Sequence, residues 1–307
     1  MNINRLKAMA ERHPLLRAGL SPLIAIRRHF IHKQLRLKKE VLDDLAELLH
    51  SDPVIRVDEF GGVFAVAAHS DIFTRIITDK SYEPALVRCC QRYADRSRDI
   101  IDIGANIGLF SVMFAKHTKQ RVLSVEPTSN ALRRLRQNLE LNGVTDKVEI
   151  FTGVASNESG EVEIKTIKGK EEYSSLGEMG HPSIAQEEYT KEKVTAKTLD
   201  QLVAEKKLNP GFIKVDVEGA EHLVFGGAQN VLKENRPVIL SELCDYLLRK
   251  NGSSAADVIG MIRQHEYDVY DPLQPSKPPG SGDFGDVICF PKEMAISAEK
   301  LANSFPS

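Results

Sequence analysis

The chain has 307 residues, 42% hydrophobic and 27% charged, with a formal net charge of −2. This is the composition of an ordinary globular protein with room for one sizeable core or at most two. No run of eighteen apolar residues occurs, which excludes an obvious membrane-spanning helix; LSPLIAI, from Leu20, stops at Arg27 and Arg28 and lacks the cleavage site of a secretory leader.

The near-neutral total hides an asymmetry. Residues 1–39 carry ten Lys/Arg against Glu11 alone, for +9, and the remainder carries −11. Such an arm suits a solvated or docked helix pair, peripheral contact with an anionic membrane surface, contact with nucleic acid, or a transit peptide. Leu35, Leu37, Val41, Leu42, Leu45, Leu48 and Leu49 follow a helical period up to the Ser51-Asp52-Pro53 break. VIRVDEFGGVFAVAA then reads as a hairpin through Gly61-Gly62, followed by a short helix from Asp71 to about Thr78. The four cysteines, Cys89, Cys90, Cys244 and Cys289, have no metal-ligand spacing, and free thiols in a cytoplasmic, reducing compartment are expected.

From Asp99 the signals alternate. DIIDIG is strand, ANIGLFSVMFAKH helix, RVLSVEP strand and SNALRRLRQNLELNG helix, with a glycine stop. KVEIFTGVAS runs from strand into loop, and GEVEIKTI reads as an added hairpin strand. KEEYSSLGEMGHPSIAQEEYTKEK has no clear period and reads as a loop or lid. TLDQLVAEKK opens a helix with Thr198 as N-cap; GFIKVDVEG is strand, AEHLVFGGAQNVLKEN helix and PVILSELC strand. SAADVIGMIRQHE is helix, YDVYDP strand and DVICFP a closing strand after the Pro/Gly-rich loop at 271–285. The alternation predicts an α/β fold: a mostly parallel Rossmann-like sheet with helices on both faces over residues 81–295. Residues 1–80 precede it as a basic helical arm plus β-hairpin, and 296–307 follow as a tail.

The bend IDIGANIGLF places glycines where the first strand turns into its helix, the usual ligand position in such sheets. Gly104 is expected to let backbone approach a ligand, and Gly108 to allow tight helix packing or a ligand against the first turn. The free amides of that turn are expected to suit an anionic group. GANIG lacks the GxG of dinucleotide sites. Glu126, ending the next strand, suits the two hydroxyls of a ribose, which occur in both NAD and S-adenosylmethionine (SAM). Asp102, ahead of the turn, suits a cationic amino-acid end and disfavours pyrophosphate, so the residues favour SAM.

DIGANIGLFSV, SVEPTSNALRRLRQNLELNG, GVASNESGEVEI, KTLDQL and FIKVDVEGAEHLVFGGAQNVL, in that order between about Tyr82 and Leu243, resemble the FkbM family of SAM-dependent methyltransferases. The resemblance implies the class I methyltransferase sheet and O-methylation of hydroxyls on sugars, lipids or secondary metabolites. It implies that Asp102, Gly104, Asn106 and Gly108 surround the methionine portion and sugar of SAM, that Glu126 holds the ribose, and that Pro127 shapes the adenine pocket. It further implies that Ala155 and Ser156 lie near the adenine and that Glu83, in SYEP, belongs to the pocket.

FIKVDVEGAEHLV sets Lys214, Asp216 and Glu218 on one side of a strand end. O-methylation needs alignment of the acceptor oxygen and removal of its proton. Asp216 is the first candidate, as base or as an anchor near the SAM amino group, then Glu218 and then Glu242 at the next strand's end. Lys214 is expected in a structural ion pair, Glu221 as a capping or solvated acid, and His222 in helix packing or at the surface. A Mg²⁺ ion held by Asp216, Glu218 and Glu242 is the rival use of these carboxylates, but the spacing is no metal signature, and no metal is expected. The expected partner is a small-molecule or glycan hydroxyl. N-methylation of nucleic acid is the alternative; it commonly goes with an Asn/Asp-Pro-Pro-aromatic stretch where this chain has DVEGAE. A non-catalytic nucleotide-binding protein is the other.

Overall fold

The computed structural model describes residues 51–167, 189–280 and 285–302, together with 41, 47 and 48. The chain divides into two units, Met1–Ser51 and Asp52–Ser307. The basic arm, residues 168–188 of the expected lid and the end of the tail lie outside the described residues.

Strands β1 (Val54–Val57) and β2 (Gly62–Ala65) form the expected antiparallel hairpin. Helices α1 (Asp71–Asp79) and α2 (Pro84–Tyr93) follow. The main alternation then runs β3 (Asp99–Ile103), α3 (Leu109–His117), β4 (Val122–Glu126), α4 (Ser129–Leu141) and β5 (Val148–Thr152). After β6 (Val154–Ala155), β7 (Gly160–Thr166) and β8 (Thr190–Lys197) come α5 (Leu199–Lys206) and β9 (Pro210–Val215). The described chain closes with α6 (Glu221–Gly226), β10 (Val238–Leu243), α7 (Asp245–Lys250), α8 (Ala255–Gln264), β11 (Tyr267–Tyr270), β12 (Gly285–Pro291) and α9 (Ala298–Ala302).

Seven strands make one sheet in the order β11-β12-β10-β9-β3-β4-β5. The pairs from β10 through β5 are parallel, whereas β12 is antiparallel to both β10 and β11. Every residue of β3, β4 and β9 is buried, as expected of central parallel strands covered on both faces. Their carboxyl ends therefore share one rim.

Three local features shape that rim. Asn138 of α4 is fully buried; its side chain accepts from Ala65 N (2.7 Å) and donates to Ile107 O (2.8 Å), tying hairpin, helix and glycine turn together. Thr198 caps α5 in a reciprocal box with Gln201. The predicted helix 220–235 is broken at Gly226-Gly227, where a Cβ at Gly227 would lie 2.1 Å from Ser156 O, and Val231–Asn235 winds as a π turn. The end of the expected loop is instead strand: β8 pairs antiparallel with β7 from Gly160↔Ala196 to Thr166↔Thr190 and parallel with β6. Ile164 and Ala196 are its buried contacts, and the alternating charges of TKEKVTAK hid the strand.

Candidate active site

At the carboxyl ends of β3, β4 and β9 the chain leaves a cavity. Gly104, Ala105, Asn106, Glu126, Pro127 and Ala155 line one part of it. Glu83, Lys214, Asp216, Glu218 and Glu242 line the other. Three of the expected residues do not reach its wall. Asp102 is fully buried beneath the turn, its Oδ2 accepting from Ser111 Oγ at 2.6 Å. Gly108 packs on α4, where a Cβ would lie 2.4 Å from Leu135 Cδ1. Ser156 is buried, its backbone N bonded to Lys197 O at 2.9 Å.

A Cβ on Gly104 (φ +79°) would sit 1.8 Å from the main-chain oxygen of Asp216, so this glycine admits the neighbouring strand end while its backbone lines the cavity. The turn's amides are engaged within the protein: Gly104 N and Ala105 N donate to Val125 O, Asn106 N to Glu126 Oε2, and Gly108 N to Ala105 O. These four donors are taken up within the protein, while Leu109 and Phe110, which open the first turn of α3, line the cavity.

Glu126 is buried, and its Oε1 also accepts from Thr128 N (2.9 Å) and Oγ1 (2.7 Å). Burial pushes its carboxyl up and the Thr128 bonds oppose that. Each carboxylate oxygen has a second lone pair, so the fixed group can still accept from a ligand hydroxyl at the cavity. Asn106, held at φ +49°, has a buried Oδ1 with no hydrogen-bond partner, an acceptor beside the same cavity. Ile103, Ile107, Phe110, Val154 and Ile164 supply apolar wall. An orphaned acceptor, a fixed carboxylate, apolar faces and an acidic far side fit a nucleoside that carries positive charge.

The acidic side is built on strand register. Asp102 of β3 and Leu240 of β10 both pair with Lys214 of β9. Lys214 is buried, with its amine 2.9 Å from Asp216 Oδ2 and 4.7 Å from the centre of the Phe110 ring. Burial works against that charge, but Asp216 and Asp102 outweigh it and raise the amine's pKa. This is the structural ion pair expected of Lys214, and the charge of Asp102 adds to it from the neighbouring strand. Glu83, at φ +48° ahead of α2, is 3.2 Å from Arg75 of α1, and Arg75 lies 4.3 Å from the centre of the Tyr82 ring. Burial and then the charge of Asp216 push Glu83 up. Glu242 is pushed well up, first by the charge of Asp216 and then by burial. Glu221 is buried, not solvated: its Oε1 accepts from Val217 N and Gly219 N, and burial pushes it to about 7. His222 sits in α6, its pKa lowered by burial.

Sequence reading missed Arg75, Tyr82 and Asp286. Tyr82 adjoins the noted Glu83, but Arg75 sits in a short helix without a motif. Asp286 is the second residue of β12 and reaches the site only because that strand runs antiparallel to β10. Among the described residues, no three His, Cys, Asp or Glu side chains are arranged to hold a metal ion.

A seven-stranded sheet with a nucleoside-suited cavity at its carboxyl rim places the chain among the class I, Rossmann-like methyltransferases. Methyltransferase FkbM domains match residues 102–269, and the chain belongs to that family. Its cofactor is S-adenosylmethionine. Hexuronic acid methyltransferase AglP of Haloferax volcanii is 27% identical over 195 residues, which cover 62% of this chain and 74% of that protein. AMB antimetabolite synthetase AmbE of Pseudomonas aeruginosa is 28% identical over 203 residues, which cover 55% of this chain and only 9% of that much longer protein. The crystal structure of methyltransferase FkbM from Methylobacillus flagellatus shows 17% identity and a TM-score of 0.41 over 64% of this chain and 44% of that one. Among the described residues no helix is long and apolar enough to cross a membrane.

Proposed function

We propose that the chain is an O-methyltransferase whose acceptor is a hydroxyl of a glycan or a related polyhydroxy metabolite. The carrying observation is the row of carboxylates, Asp216, Glu218 and Glu242, beside the cavity at the ends of adjacent strands β9 and β10. SAM supplies an electrophilic methyl group on a sulfonium. In this reading Glu126 and Asn106 hold the nucleoside, with Pro127 and Ala155 beside it, and the acidic side faces the acceptor.

The ion pairs order the three candidate bases. Asp216 is tied to Lys214 at 2.9 Å, which occupies one of its carboxylate oxygens. It serves better as an anchor for a cationic group. Glu242, whose proton affinity is raised by Asp216 and burial, is the better base. Glu242 takes the hydroxyl proton as the acceptor oxygen bonds to the methyl carbon, and the pair of the broken C–S bond stays on sulfur. Glu218, on the cavity wall at φ +53°, fixes the acceptor. The named activity of the AglP relative supports a sugar acid or its oligosaccharide as the first acceptor to test.

The test is transfer of labelled methyl from SAM to a panel of uronate-containing oligosaccharides, neutral oligosaccharides and RNA. A base-stable methyl ether on a saccharide is the expected product. Label on RNA nitrogen overturns the reading in favour of the nucleic-acid alternative, and a base-labile methyl ester on the uronate overturns hydroxyl transfer.

A further inference from the structure

Behind the cavity lies a chamber of about 10 Å³, the room of about one water molecule. Glu83, Lys214, Asp216 and Glu242 line both spaces, and Asp286 lines only the rear one. Asp286 pairs directly with Glu242 across the antiparallel β10–β12 ladder. Side chains at directly opposed positions share a face with Cβ atoms roughly 5 Å apart, and two like charges there repel. Glu83, Asp216 and Glu218 add three carboxylates to this pair, against the cations Lys214 and Arg75, and Asp271 and the Cys89 thiol face Asp286 from beyond. So large an excess of negative charge in a half-buried space is relieved by keeping a proton.

We propose that Asp286 is a positioning residue of the active site, which together with Glu242 holds one shared proton that leaves when positive charge enters the cavity. The free protein then carries its base protonated and idle. Cofactor charge in the front chamber favours the ionised form of the carboxylates around it, the shared proton goes to solvent, and Glu242 is left ready to accept the hydroxyl proton. Burial followed by the charges of Glu83 and Asp216 pushes Asp286 to about 7, which fits a proton exchanged near neutrality. The proposal goes beyond the acceptor reading and does not depend on which hydroxyl is methylated.

SAM and S-adenosylhomocysteine differ by one methyl group and one positive charge, so the full chain can be titrated with each by calorimetry at pH 7. Running both in phosphate and in Tris counts protons from the dependence of the heat on buffer ionisation. SAM is expected to release about half a proton or more beyond S-adenosylhomocysteine. Asp286→Asn removes the group that exchanges its proton near neutrality, while Asp216 and burial still hold Glu242 up, and is expected to abolish the excess, with S-adenosylhomocysteine affinity within about threefold of wild type. Asp286→Glu restores the carboxylate and is expected to restore the excess; circular dichroism checks that both variants fold. Equal proton counts for the two ligands in the wild type, or an unchanged excess in Asp286→Asn, overturn the proposal. Failure of both ligands to bind wild type overturns the cofactor site itself.

Discussion

Replacing Gly104 by alanine combines two costs that the structure separates. The residue sits at φ +79°, a region that costs an L-residue about 1–2 kcal/mol. Its new Cβ would also lie 1.8 Å from the Asp216 carbonyl oxygen, where main chain must move. Such overpacking typically costs about 1–3 kcal/mol more, for a total of about 2–5 kcal/mol. Gly61 supplies the internal control: it has φ +63° with nothing within 4 Å of an added Cβ, so alanine there meets only the first cost. In a domain of this size each kcal/mol moves Tm by about 2–4 °C. Thermal melts by circular dichroism are therefore expected to show a loss of about 4–20 °C for Gly104→Ala and about 2–8 °C for Gly61→Ala. Equal losses would refute the claim that Gly104 is there to admit the β9 end.

Three further outcomes follow from buried charge. Lys214→Met leaves Asp216 and Asp102 without their cation and should cost about 3–5 kcal/mol in urea unfolding at pH 8; the loss should shrink at pH 5, where carboxylates can take up protons, and a pH-independent loss would contradict the pairing. Glu221 binds its proton more tightly folded, near pH 7, than at its ordinary 4.5, so the stability from its neutral form is complete below about pH 4.5 and fades as pH rises through about 7. Glu221→Gln keeps an acceptor for Val217 N and Gly219 N, so its stability relative to wild type should rise from pH 4.5 to 8, and a constant gap would refute the shift. Glu242→Gln should lower methyl transfer by roughly 10²–10⁴-fold while leaving the cofactor Kd within about threefold; full activity would remove Glu242 as the base.

Much of the fold was legible because periodicity changes at each strand–helix boundary. The all-buried strands DIIDI, VLSVE and PGFIKV announce a sheet covered on both faces. Strand TKEKVTAK was not legible, since half its residues are charged and only its pairing with β7 fixes it. The site shows the same division. Glu126 could be placed at the rim because it ends a strand next to the glycine turn. Asp102 precedes the same turn, yet alternation turns it to the sheet face where Ser111 and Lys214 lie, and that depends on how α3 packs. Arg75 and Asp286 stand far from the motifs in sequence, and only the docking of α1 brings the first to the cavity and only the antiparallel β12 brings the second to the chamber next to it.

The central claim, that the β3–β4–β9 rim is a SAM site anchored by Glu126, is tested most directly by calorimetric titration of the full chain with SAM and with NAD⁺. SAM is expected to bind with a Kd on the order of micromolar. Glu126→Gln should weaken it about 10- to 100-fold through lost charge-assisted hydrogen bonds, and NAD⁺ should give no binding heat. Saturable NAD⁺ binding without SAM binding, or a Glu126→Gln variant with wild-type affinity, would contradict the account.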